Sequence, residues 1–261
     1  MPFTFAHPAI ALPFRKRVGA GLFCALAIGT TLPDTGYYIG RKDFAHFGHQ
    51  WAGLLVLLPW GWAIWWAIQT AGSRLFILAS PTHRRFLTAL LIGKAPFLGV
   101  LAALFIGAWS HVAWDAFTHA DGWVVERVPV LQQTVFQIAD EPIEVFQLLQ
   151  HGSTTAGLAL MALAYGVGHH RLETRTPGFP LPDRSERKSR RQLWISGLIL
   201  AGVACLLLQS PRILGLIEEP TFLEFRRLVV QSAIWGTVTL ALWAGAVTLW
   251  LNVREARSRG V

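Results

Sequence analysis

LTALLIGKAPFLGVLAALFIGAWSHVAWDAFTH, residues 87–119, decides how the chain is read. Between Leu87 and Ser110 the only charged side chain is Lys94, so the stretch has the length and apolarity of a helix crossing a hydrocarbon core about 30 Å thick. The same pattern recurs at 18–32, 49–71, 152–168, 193–209 and 228–251, giving six expected spans. The first and fourth are short for the core, which calls for shielding by other helices or a preceding amphipathic turn.

Composition points the same way. Of 261 residues, 53% are hydrophobic and only 15% charged, with a mean hydropathy of +0.43, too apolar for a water-soluble domain. The expected fold is an all-α polytopic membrane helix bundle, a single integral membrane domain over 1–261. The net charge of +8 and pI near 10.3 would suit nucleic acid if the excess formed one face. Instead, seven basic residues crowd into 171–191 between apolar spans, which reads as a membrane orientation signal and excludes nucleic acid as a partner.

With the amino terminus inside, inner segments hold 16 basic residues and outer segments six, so both termini are expected in the cytoplasm. Residues 172–191, with three prolines and mixed charge, read as a mobile basic cytoplasmic loop. Arg15-Lys16-Arg17 before an apolar run resembles the start of a secretory signal, but Leu32-Pro33-Asp34 follows with no small-x-small cleavage site. Cys24 and Cys205 sit in apolar runs as small hydrophobes and imply neither a disulfide framework nor a thiolate metal site.

The chemistry lies in ionisable residues placed where a membrane makes them expensive. His111, Asp115 and His119 stand four apart, so a helix projects all three from one stripe, and His111 with Asp115 suits one cation from adjacent turns. Asp43, His46 and His49 precede the second span, with His46 and His49 on one face, and Pro33-Asp34 ends the first. The topology puts Asp34, His46, His49, His111, Asp115 and His119 on the same outer side. Imidazoles and carboxylates together suit zinc, iron or manganese, leaving room for a water whose pKa the metal lowers.

The acidic outer loop 120–150 contains Asp140-Glu141-Pro142, a helix start, followed by apolar residues expected to form a helix over the site that delivers His151 to the boundary. Lys94 is expected to snorkel or to pair with an acid. His83, His169 and His170 stand beside basic loops and are expected to be solvated.

These residues also carry a resemblance. Met1-Pro2-Phe3-Thr4-Phe5-Ala6-His7-Pro8-Ala9, Pro33-Asp34, His49 with Gly53-Leu54-Leu55, Ser110-His111 to Asp115 with Thr118-His119, and Leu149-Gln150-His151-Gly152-Ser153 resemble a bacterial inner-membrane protein family known as domain of unknown function 4184. That family is distantly similar to membrane-bound metal-dependent hydrolases and, further off, to zinc-dependent phospholipases C. The resemblance implies metal ligation by His7, Asp34, His49, His111 and Asp115, and phosphoester chemistry on lipid. Pro33-Asp34-Thr35-Gly36 lacks the second carboxylate of the hydrolases' Pro-Asp-x-Asp, which argues against a dinuclear centre. For His7 to reach an outer site, the segment from His7 to Phe14 has to return into the bundle as a short helix.

The expectation is therefore a metal-dependent hydrolase of the bacterial inner membrane, with zinc as cofactor, acting on a lipid or lipid-linked ester or phosphoester. His119 and His151 are the candidate catalytic proton carriers or supporting partners, and membrane lipids the partners. A transporter or ion-handling protein using the same cluster, or a structural protein without catalysis, are the alternatives.

Overall fold

A computed structural model describes residues 3–76, 78–138, 141–175, 184–218 and 221–258. The chain is almost entirely helical, and four helices are long and apolar enough to cross a membrane: Trp51–Ala71, Phe97–Thr118, Lys188–Leu216 and Arg227–Arg254. The short helix Ala20–Gly29 is equally apolar. Leucines 198, 206, 207, 214, 242 and 249 all present their side chains outward. So much unburied apolar surface on helices with internally satisfied backbones is what a lipid environment requires.

The contacts divide the chain into two compact units, residues 1–72 with 86–177, and residues 73–85 with 178–261. The first opens with a 3-10 helix, Thr4–Phe14, containing Pro8 and Pro13. The chain reverses through 15–19 into α1 (Ala20–Gly29), then turns through two short helices, α2 (Thr35–Tyr38) and α3 (Lys42–Gly48), into α4 (Trp51–Ala71). α1, α4 and α6 (Phe97–Thr118) share a core of Ala25, Leu32, Leu57, Val100 and Leu104.

Two glycines let α1 and α6 touch backbone to backbone. A Cβ on Gly29 would lie 2.3 Å from the Leu104 carbonyl oxygen, and one on Gly107 would lie 2.4 Å from that of Leu26. No larger residue permits this approach, the usual device where helices associate in lipid.

The expected span over 87–110 is divided. α5 (Pro81–Leu91) ends at Leu91, residues 92–96 belong to no regular element, and α6 begins at Phe97, because Pro96 has no amide hydrogen to continue a helix and fits at its start. Lys94 lies exposed in this break, not inside a span, and α6 runs to Thr118, so His111 and Asp115 belong to the span itself.

The expected helix start at 140–142 is also corrected. Asp140 lies outside the described residues, and Glu141–Glu144 forms β2, paired antiparallel with β1 (Thr134–Ile138). The helix begins at Val145: α7 (Val145–Arg175) contains the expected 152–168 segment but is not among the four apolar enough to span. Of the basic loop 172–191, residues 176–183 lie outside the described residues; 172–175 belong to α7 and 184–191 to α8 (Arg184–Glu218).

In the second unit, α8 and α9 (Phe222–Ser258) pack along each other as a hairpin. The Cys205 thiol donates to the Ser232 carbonyl at 3.3 Å, and Trp194 meets Trp243 at 5.8 Å between ring centroids.

Candidate metal centre

The close contact of α1 with α6 sets the first ligand. One turn beyond Gly107, His111 is buried, and its Nδ1 lies 2.7 Å from the carbonyl oxygen of Thr30, which caps α1. A carbonyl only accepts, so Nδ1 carries the hydrogen and Nε2 points its lone pair the other way. His49, the residue that ends α3, repeats the arrangement: its Nδ1 donates to the Ala45 carbonyl at 2.8 Å. Both rings are thus oriented by a backbone oxygen, as metal-ligating imidazoles are.

Both Nε2 atoms face the same two carboxylates. His111 Nε2 is 3.5 Å from Oδ1 of Asp34 and 3.1 Å from Oδ2 of Asp115; His49 Nε2 is 3.6 Å and 3.2 Å from the same atoms. One ligand atom from each of Asp34, His49, His111 and Asp115 lies within 4.8 Å of all the others. Four acceptors facing one another without a hydrogen between them repel unless a cation joins them. Oδ1 of Asp34 and Nε2 of His111 are buried with no hydrogen-bond partner. Bonds of 2.0–2.1 Å to one ion set neighbouring ligand atoms about 3.4 Å apart in a tetrahedron, and the four imidazole–carboxylate pairs lie at 3.1–3.6 Å, with all four atoms within 4.8 Å of one another. The donor set therefore fits a divalent cation.

His7 lies at the edge of this group. Its ring stacks on His111 with centroids 3.8 Å apart, and Nε2 is 3.7 Å from Oδ1 of Asp115, buried and without a hydrogen-bond partner. Burial pulls its imidazole down to about 4, so it is neutral at pH 7. The short helix needed to bring it back into the bundle is the amino-terminal 3-10 helix, which packs against α7 and α1.

His119 caps α6 and directs Nδ1 at the Asp115 carbonyl, 3.1 Å away, and towards Asp115 Oδ1 at 3.6 Å. Burial, opposed by the Asp115 carboxylate, holds its imidazole below the usual range. His151 sits on an exposed position of α7 and is not one of the four convergent residues. Asp43 and His46 are also exposed and outside that group. Asp43 pairs with Arg41 at 2.6 Å, and that hydrogen-bonded guanidinium holds its carboxyl down to about 2. His169, expected to be solvated, stacks on Tyr165 with centroids 6.1 Å apart.

A family model described as "Domain of unknown function (DUF4184)" matches residues 1–250. The chain belongs to that family. No curated protein and no solved structure matches it.

Sequence reasoning within this DUF4184 chain missed Thr4. Its hydroxyl donates to Asp34 Oδ2 at 2.5 Å, which leaves Oδ1 to face the two imidazoles.

Two apolar cavities flank the cluster. One of 400 Å³ is lined by His49, Trp51, Leu54, Trp109, Ala116 and Trp123 among others; the second, of 260 Å³, lies beside His7 among Ile10, Trp114, Gly157 and Leu160.

Proposed function

We propose that the chain is a metal-dependent hydrolase of the bacterial inner membrane that cleaves an ester or phosphoester of a lipid or lipid-linked substrate. The observation that carries this reading is the convergence of Asp34, His49, His111 and Asp115 with both imidazoles held by backbone carbonyls, so that every lone pair is directed inward before any ion arrives. Zinc is the ion best suited to two imidazoles and two carboxylates; bound there it would lower the pKa of a water and polarise the scissile oxygen.

The chain's own residues supply the rest. Asp34 and Asp115 balance the cationic charge, and Thr4 keeps Asp34 in register. His119 has its Nδ1 hydrogen committed to the Asp115 carbonyl, so Nε2 is the atom free to take a proton from the reacting water and return it to the leaving oxygen. The apolar linings of the cavities at His49 and His7 suit hydrocarbon, which favours a lipid substrate over a soluble one.

The reading includes a bundle of six spans, with Arg15, Lys16, Arg17 and the carboxyl terminus in the cytoplasm and the cluster in the outer half, where Thr4 and His7 bring the amino-terminal segment to the same side and correct the expectation of a cytoplasmic amino terminus. A reporter fused after Val261 then reads cytoplasmic and one inserted near Asp121 external; the reverse overturns this sidedness.

The deciding experiment is elemental analysis of the detergent-purified chain beside a His111→Ala, Asp115→Ala double variant, followed by hydrolysis assays on phospholipids and lipid-linked phosphates. Near-stoichiometric zinc lost in the variant, with zinc-dependent release of product, supports the proposal. Absence of metal from the wild-type chain overturns it, and ion flux in proteoliposomes without hydrolysis assigns the cluster to ion handling instead.

A further inference from the structure

At the other end of the amino-terminal 3-10 helix the first unit has a cavity of a different kind. It measures 450 Å³ and is bounded by the end of that helix, by α5 and by the later turns of α7. Its cations are Arg15, Lys16 and Arg171, and its apolar wall includes Leu12, Phe86 and Val167. Arg15 stands eight positions after His7 along the 3-10 helix and its C-cap, about 16 Å at a rise of 2.0 Å each, so the cavity is remote from the His/Asp cluster.

Among the described residues the polar side of this cavity is entirely basic: no carboxylate lines it, and none of the three cations has an acidic partner within salt-bridge distance. Arg15 is half-buried, its guanidinium 5.5 Å from the centroid of the Phe86 ring, and Phe86 itself is buried. That contact holds the group in place while leaving its hydrogen-bond edge unused by any carboxylate.

The apolar wall runs directly from the cations. Arg15 and Lys16 precede α1, and Arg171 lies in the last turns of α7, so charges at the polar ends of apolar segments meet hydrocarbon-lined space. A soluble anion would use only the cations, and a neutral lipid only the wall.

We propose that this cavity binds an anionic phospholipid, its phosphate held by Arg15, Lys16 and Arg171 and an acyl chain lying along Leu12, Phe86 and Val167. Basic pockets of this form between helices at the cytoplasmic boundary are suited to acidic headgroups. The site does not depend on the hydrolase reading.

The test uses the full chain in mild detergent and counts bound lipid by native mass spectrometry. The probes are dioleoyl phosphatidylglycerol, dioleoyl phosphatidylcholine and inorganic phosphate. One phosphatidylglycerol per chain is expected to be retained in preference to phosphatidylcholine, with millimolar phosphate failing to displace it. Arg15→Gln with Arg171→Gln is expected to weaken retention roughly thirtyfold, the effect of two membrane-facing cations. Arg15→Lys with Arg171→Lys keeps most of it, which controls for folding. Ala89→Trp, at an exposed position on the rim, leaves every charge in place and reduces retention by occupying the cavity. Equal weakening by Arg254→Gln with Arg257→Gln, elsewhere on the chain, would show a general charge effect and overturn the site. Equal retention of phosphatidylcholine, or displacement by inorganic phosphate, overturns it as well.

Discussion

Gly107→Ala tests whether helix contact, and not the ligands alone, builds the metal centre. The added Cβ would sit 2.4 Å from the Leu26 carbonyl oxygen and 2.8 Å from the Thr30 nitrogen, both backbone atoms that cannot rotate away. A carbon needs roughly 3.5 Å from such a neighbour, so α6 must withdraw from α1 by about 1 Å. The hydrogen bond from His111 Nδ1 to Thr30 then lengthens from 2.7 Å to about 3.7 Å and is lost. Over-packing of this kind costs about 1–3 kcal/mol, and releasing the orientation of a metal-ligating histidine lowers affinity about 10- to 100-fold.

The assay is competition for zinc against a chromogenic chelator, with a tryptophan-fluorescence melt on the same sample. Gly166→Ala, where a Cβ meets nothing within 4 Å, is the matched control and should leave both unchanged or slightly raise the melting temperature. Wild-type zinc affinity in Gly107→Ala would refute the claim that the α1–α6 contact positions His111.

Two further outcomes follow from the site. Thr4→Val removes the donor to Asp34 Oδ2 at nearly constant volume and should weaken zinc binding about tenfold, whereas Thr4→Ser should keep it; the chelator competition measures both. His119→Asn should retain stoichiometric zinc and lower lipid hydrolysis about 100-fold or more, with His151→Asn within about twofold of wild type; loss of zinc in His119→Asn would make His119 a ligand and not a proton carrier.

The residues that converge were legible because each is costly where it stands. Asp34, His111 and Asp115 are ionisable groups among apolar neighbours, and the spacing of His111 and Asp115 alone puts them on one helix face. The same spacing argument misled at His46, since it holds only while a helix continues. α3 stops at Gly48, and His49 turns inward from a helix end while His46 stays exposed. The break at 92–96 hides inside an average of hydropathy, because one proline and one glycine barely change it. At 140–142 a proline after two acids fits a helix start, but the strand-like 134–138 stretch offers the segment backbone partners from the other side. Thr4 gave no signal, because its meaning depends on a carboxylate 30 residues away.

The cluster also explains why its histidines stand at helix ends. A helix leaves its last carbonyls without amide partners, and these must be satisfied by something. At α1 the Thr30 carbonyl is met by His111; at α3 the Ala45 carbonyl is met by His49, whose own amide turns back to His46 instead. Each imidazole thus answers a need of the backbone with Nδ1 and is left with an acceptor at Nε2. α6 ends on the same group, with Asp115 in its last turn. Three helix carboxyl ends, each carrying a partial negative charge, therefore meet two carboxylates and two nitrogen lone pairs. No positive side chain lies among the four convergent residues to balance them. A protein interior concentrates negative potential in this way at a cost, and a bound cation offsets that cost. Removing one carboxylate while keeping the helices, as in Asp115→Asn, should therefore weaken the ion and raise the melting temperature of the metal-free chain, a pair of opposite changes that a purely structural role for Asp115 does not produce.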